Sequence, residues 1–357
     1  MRRTGAWFEL DAVVTDRSTL PSLQGFRGAA AIAVVLHHAA LSTDAFVQAG
    51  FGSGVARWLQ LGYLGVDFFF VLSGFIILYV HADDVPTGPS ARRYLGKRLL
   101  RVYPPYLPIS ILLVLAYLAA PGMSASGGRQ WSLASSLLLL PSDQPPALSV
   151  AWTLVHEMVF YTVFLIFFAW RRAFPAFVAL WALVILVVNA KAEVTGWLHY
   201  LVAWQNLEFV MGMLTAVAVR RGLGTALRPA GWITAGLLVA GLTLVLTDPA
   251  LQPAARPLFG LGMAAMVVGF ARRDLVTRSA PSALWVLLGA ASYSIYLVHN
   301  PLLSLTQRVL AAAHFGWLPA CATGVALAIA AGIGYHKLVE QPALVKARAL
   351  LARRAPA

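Results

Sequence analysis

Long apolar runs, broken by short polar segments that carry most of the charge, recur from one end of the chain to the other. They fall at about 27–43, 63–80, 103–120, 150–169, 174–190, 197–219, 231–247, 256–271, 284–305 and 316–336. A helix needs about 20 mainly apolar residues to cross a bilayer, and several of these runs sit at the lower limit. The pattern predicts an all-α, polytopic membrane protein, a bundle of about ten transmembrane helices. The stretch 131–140 (WSLASSLLLL) is too short to span and is expected at the membrane interface. No internal repeat is visible.

Composition strengthens this picture. The chain is 59% hydrophobic and 11% charged, where a soluble domain carries about a quarter charged residues. A soluble fold would have to expose apolar patches far larger than monomers tolerate. The opening MRRTGAWFELDAVVTDRSTL is mixed and polar and does not read as a cleavable signal peptide. The expected organisation is an N-terminal tail over 1–20, a transmembrane domain over 21–343 and a basic tail over 344–357. The single cysteine, Cys321, excludes an intramolecular disulfide and a Cys-ligated zinc site, and reads as small core filler.

The net charge of +13 could suggest nucleic acid, but its distribution argues for topology. Of the 27 Lys and Arg, all but Arg57, Arg129, Lys191, Arg256 and Arg308 fall on the N-terminal side, in alternate loops or in the C-terminal tail. The positive-inside rule then places both termini in the cytoplasm. The bilayer, rather than nucleic acid, is the expected partner, and some of these cations remain available for an anionic ligand.

Polar groups inside the runs carry the chemistry. Arg27 and His38 bracket RGAAAIAVVLHH. Eleven residues make about three turns, so both side chains share a face, with the imidazole about 16 Å above the guanidinium. An ionisable group at that depth is a functional-site hypothesis; the alternative is a core histidine bonded to a neighbouring helix. His37 is rotated by about 100° and reads as structural.

In GVDFFFVLSGF, Asp67 could orient a histidine or hold a polar acceptor, or it could be an interfacial acid in a packing motif. Small Ser73 and Gly74 permit close helix contact, and Ser73 lacks the GxSxG context of a nucleophile. In YLGKRLLRVYPPY, Lys97, Arg98 and Arg101 lie together on a helix that Pro104-Pro105 is expected to end. They suit lipid headgroups or a phosphorylated ligand.

In WTLVHEMVFY, Glu157 lies about a third of the way into its span and needs a cationic or hydrogen-bonding partner. His156-Glu157 is no zinc protease motif, because position 160 is Phe. In SYSIYLVHNP, Ser292, Tyr296 and His299 form a polar stripe that packing alone could also explain. Glu208 and Glu340-Gln341-Pro342 read as structural.

In this order, from LQGFRG to VEQP, the motifs resemble the membrane acyltransferase-3 family. That family includes bacterial O-acyltransferases of polysaccharides, lipopolysaccharide, nodulation factors and macrolides. The resemblance implies a multi-pass protein of the bacterial cytoplasmic (inner) membrane. It would move an acyl group, acetyl by family prevalence, from cytoplasmic acyl-CoA to a hydroxyl of a carbohydrate, glycolipid or macrolide acceptor. Acyl-CoA is then a donor substrate, with no permanently bound cofactor. By position, functional roles fall on Arg27, His38, Glu157 and His299. His156 stands where family members more often carry an uncharged residue.

The mechanism expected from residues and resemblance together has Arg27, Arg98 and Arg101 holding the donor phosphates. His38 is the general base, Glu157 orients it, and Asp67, Tyr296 and His299 hold the acceptor or the developing oxyanion. An acyl-histidine route is an alternative chemistry. The rival class is a proton-coupled secondary transporter or flippase using the intramembrane Asp, Glu and His groups. The sequence shows no inverted repeat of the kind many transporters carry.

Overall fold

The computed structural model describes residues 20–47, 58–59, 61–123, 130–191, 194–223, 225, 227–246, 252–277 and 281–354. The expected N-terminal tail therefore lies outside the described residues except for Leu20, and so do Arg57, Arg129 and Arg278.

The chain forms α1 (Pro21–Val47), α2 (Gly65–His81), α3 (Gly88–Ala119), α4 (Trp152–Ala169), α5 (Phe174–Lys191) and α6 (Gln205–Arg220). It continues with α7 (Pro229–Leu246), α8 (Gln252–Val276), α9 (Ala283–Ala312), α10 (Trp317–Tyr335), a π-helical turn (His336–Glu340) and α11 (Gln341–Arg354). Most apolar runs thus lie on one long helix, the run at 197–219 being divided between a short helix, His199–Val202, and α6, and no strand occurs among the described residues. Among these residues, eight stretches are long and apolar enough to cross a membrane. The two runs outside that set are α7, a shorter apolar helix, and α8, which bears Arg256, Arg272, Arg273 and Asp274.

One boundary differs from expectation. Pro104-Pro105 does not end a helix: α3 runs through Pro104, Pro105 and Pro108. These prolines leave the carbonyls of Leu100, Arg101 and Pro104, four residues back, without a helical partner, and hydroxyls from distant helices bond the carbonyls beside them. Tyr293 Oη donates to the Val102 carbonyl at 3.0 Å, and Tyr335 Oη donates to that of Pro105 at 2.7 Å.

Helices meet where side chains are missing. A Cβ on Gly74 would lie 2.1 Å from the Phe209 carbonyl oxygen, and one on Gly212 would lie 2.0 Å from that of Val71. Backbone thus touches backbone between α2 and α6, the small-residue contact that drives helix association in lipid. Gly28 and Gly289 play the same part between α1 and α9. An aromatic core, with Phe160 stacked on Phe209 at 4.1 Å, fills the space between α2, α3, α4 and α6. In contrast, α5 buries only Phe174 and Ile185 and turns Leu180, Leu183 and Leu186 outward, as a lipid-facing helix should.

Helix ends are closed by charge. Arg171 donates to the carbonyls of Ala82 and Asp84, just beyond α2. Arg220 grips both oxygens of Asp83 and the Tyr79 carbonyl. Cationic donors near a helix C-terminus satisfy carbonyls that have no partner within the helix. At the start of α1, the Ser22 backbone N–H and hydroxyl donate to Asp274 of α8 at 2.8 and 2.5 Å. The stretch expected at the interface forms a short helix, Leu133–Leu138, docked on α3. Tyr103 and Tyr106 donate to its Leu138 and Ser136 carbonyls, both at 2.6 Å.

Candidate active site

A cavity of about 110 Å³ opens between α1, α2, α3, α4 and α9. Arg27, Arg98 and Arg101 reach it, opposed by one carboxylate, Glu157. This leaves a formal excess of positive charge against walls made largely of Phe69, Phe70, Leu72, Ile76 and Leu154. Such a site suits an elongated ligand with an anionic end and an apolar or neutral stem.

Each cation is held differently. Arg27 Nη1 donates to Gln24 Oε1 at 3.1 Å, one turn back along α1, and Arg27 stands in the field of Glu157, Glu340 and Arg101. The Arg98 guanidinium lies beside the rings of Tyr94 and Tyr161, 5.6 and 5.7 Å from their centroids. Arg101 is exposed at the rim.

Glu157 is bonded otherwise than expected. Tyr161, one turn on along α4, donates to Glu157 Oε1, and Ser73 of α2 donates to the same oxygen at 3.4 Å. No hydrogen bond joins it to His38. Glu157 belongs to the arginine cavity, whereas His38 lies deeper along α1 and does not line that cavity. His156 does not share the space of Glu157 either: it is fully buried against Tyr200, Phe70 and Trp152, with ring centroids 4.8, 6.0 and 5.6 Å away.

The ring beside His38 is His299, centroid to centroid 5.2 Å. His37 is also close, at 4.8 Å, and turns toward Tyr63 at 5.8 Å. The His299 tautomer follows from its partners. Its Nδ1 faces the Tyr296 and Ile295 carbonyls at 2.6 and 3.2 Å, so Nδ1 carries the proton and donates. Nε2 then has a free lone pair, and it is buried without a hydrogen-bond partner. Tyr296 is fixed by its hydroxyl, which lies 2.8 Å from Thr153 Oγ1 and 3.0 Å from the Val150 carbonyl.

Between cavity and histidines stand two rings. Phe69 and Tyr296, 6.2 Å apart, line the cavity, and His299 lies 5.6 Å beyond Tyr296. Ser292 also lines the cavity, its hydroxyl donated to the Gly289 carbonyl.

Asp67 is placed apart from this arrangement. It is completely buried on α2, beside Glu208 of α6, and 3.8 Å from Arg256 of α8. Glu340, read as structural, accepts from Ser294 at 2.5 Å and from His336 Nδ1 at 2.7 Å through the π-helical turn. Cys321 is buried, as a core filler would be. Ser73 and Tyr161 were missed as partners of Glu157. The four-residue spacing of Glu157 and Tyr161 was a readable signal, but nothing in the sequence aligned Ser73 with them.

Comparison with known proteins agrees with this architecture. The acyltransferase MdmB of Streptomyces mycarofaciens is 29% identical, over 94% of this chain and 94% of its own length. The exopolysaccharide production protein ExoZ of Rhizobium meliloti is 28% identical over 81% of this chain and 92% of its own. Protein 2 in the picA locus of Rhizobium radiobacter is 29% identical over 40% of this chain and 78% of its own. No solved structure matches. The acyltransferase-3 family model, an acyltransferase domain, matches residues 20–335, which span the cavity, the histidine pair and the helices that carry them. The chain therefore belongs to the acyltransferase-3 family of membrane acyltransferases.

Proposed function

We propose that this acyltransferase moves an acyl group, acetyl by family prevalence, from acyl-CoA in the cytoplasm to a hydroxyl of a carbohydrate-type acceptor on the far side of the bacterial cytoplasmic membrane. The supporting observation is the order of groups along one path: three arginines at a cavity, an apolar stem, two aromatic rings, then two facing imidazoles. The donor phosphates pair with Arg27, Arg98 and Arg101, and the uncharged pantetheine arm runs toward Phe69 and Tyr296. The resemblance to ExoZ, named for exopolysaccharide production, supports a carbohydrate-type acceptor.

At the histidine pair, His38 acts as general base. Its imidazole takes the acceptor hydroxyl proton as the hydroxyl oxygen bonds to the thioester carbonyl carbon. The carbon–sulfur bond breaks, and the imidazolium returns its proton to the departing thiolate. The His299 Nε2 lone pair faces the same space and accepts a hydrogen bond from the acceptor or from His38. Glu157 offsets the arginine charge at the cavity rather than orienting His38. Both termini lie in the cytoplasm in this reading, which the charge distribution supports.

The test is transfer from labelled acyl-CoA by purified protein in lipid nanodiscs. His38→Ala should lose at least about a hundredfold in kcat, the contribution of a positioned general base, and retain its thermal unfolding temperature. Normal transfer by folded His38→Ala would remove the base from this position. Absence of both acyl transfer and acyl-CoA hydrolysis by folded wild-type protein would favour transport.

A further inference from the structure

Arg98 does not reach the cavity unaided. Its Nη2 donates to His81 Nε2 at 3.2 Å. Because Nε2 accepts, the imidazole proton is on Nδ1, which donates to Asp84 Oδ2 at 2.7 Å. His81 closes α2 and is buried, its ring edge-on to Tyr94 at 5.2 Å. The turn carrying Asp84 is anchored in its own right, by Arg171 at the Ala82 and Asp84 carbonyls and by Arg220 at Asp83. A continuous chain of hydrogen bonds therefore runs from a pinned turn, through Asp84 and His81, to a guanidinium in the cavity.

Contact with two tyrosine rings holds the Arg98 guanidinium loosely in place, and such ring contacts do not fix where its N–H groups point. An acceptor at Nη2 does. The same guanidinium has a buried Nε–H with no hydrogen-bond partner. An unsatisfied buried donor on a cation is costly and is satisfied by an anionic oxygen. The geometry points to His81 and Asp84 as positioning residues that aim Arg98 at a phosphoryl oxygen of the donor. This inference rests on the acyl-CoA reading above. The neutral imidazole is the form that does this, since an imidazolium has no lone pair for Arg98 and would repel it.

The test is binding of CoA itself to the full chain in nanodiscs, by calorimetry, alongside steady-state KM values for donor and acceptor. Arg98→Ala and His81→Leu should each weaken CoA binding about tenfold, the scale of one hydrogen bond to a charged group. Donor KM should rise with them and acceptor KM should not. His81→Gln, whose amide oxygen can accept from Arg98, should restore binding to within about threefold of wild type. In the Arg98→Ala background, His81→Leu should have no further effect, because coupled residues are not additive. Asp84→Ala, at a half-buried position, tests the same chain with less risk to folding. The inference is overturned if Arg98→Ala weakens CoA binding and folded His81→Leu and Asp84→Ala do not. It is equally overturned if His81→Leu weakens binding as much in the Arg98→Ala background as alone. Failure of the wild-type protein to bind CoA would instead remove the donor reading itself.

Discussion

Three arginines face one cavity, and their surroundings assign them different work. Arg98 lies against two tyrosine rings and donates to His81, Arg27 is tied to Gln24, and Arg101 is exposed at the rim. Arg101 is therefore suited to capture rather than orientation. Arg101→Ala should raise donor KM about fivefold while acceptor KM and thermal stability stay unchanged, since a solvent-exposed ion pair contributes about 1 kcal/mol or less. Steady-state kinetics with each substrate varied in turn would check this. At this scale the sequence revealed burial well and partnership poorly. His38 and His299 could each be placed within an apolar run, but that their rings face one another depends on the register of α1 against α9. Glu157 was correctly read as an acid needing partners. Its partner within α4 followed from spacing, whereas the one on α2 required the packed structure.

The elements are joined by missing side chains as much as by present ones. Between α2 and α6 the backbones approach so closely at Gly74 and Gly212 that a Cβ on either would collide with a carbonyl. Neither helix can retreat alone, because α2 also carries the cavity wall at Phe69, Phe70 and Ser73. Gly74→Leu should destabilise the bundle by about 3 kcal/mol or more, read as a lowered unfolding temperature in detergent, with transfer activity lost in parallel. The pairing of Ser73 and Gly74 with a close helix contact was legible from residue size. The continuity of α3 through Pro104, Pro105 and Pro108 was not, because the contacts that hold this stretch, such as Tyr293 and Tyr335 on the Val102 and Pro105 carbonyls, come from far along the chain.

For the whole molecule, the all-helical class and the order and approximate limits of the long helices could be read from hydropathy, because a membrane-sized apolar run has few alternatives to a spanning helix; ten spans were expected, and eight stretches meet the length and apolarity of one among the described residues. The arrangement of those helices around a cavity could not, since lipid tails and leucines look alike to one another. Orientation is set by charge and can be tested directly. In intact cells a membrane-impermeant maleimide should label His314→Cys, in the turn between α9 and α10. Arg172→Cys, between α4 and α5, should react only after permeabilisation. The buried native Cys321 supplies a silent background, and the reverse pattern would invert the topology. The two aromatic rings between the arginine cavity and the histidine pair bear on this same global property. A continuous water column along that path would let protons run down any gradient the membrane maintains. An apolar constriction excludes such a column by dewetting. The Phe69–Tyr296 pair stands where such a constriction would keep the membrane electrically tight while a ligand occupies the cavity.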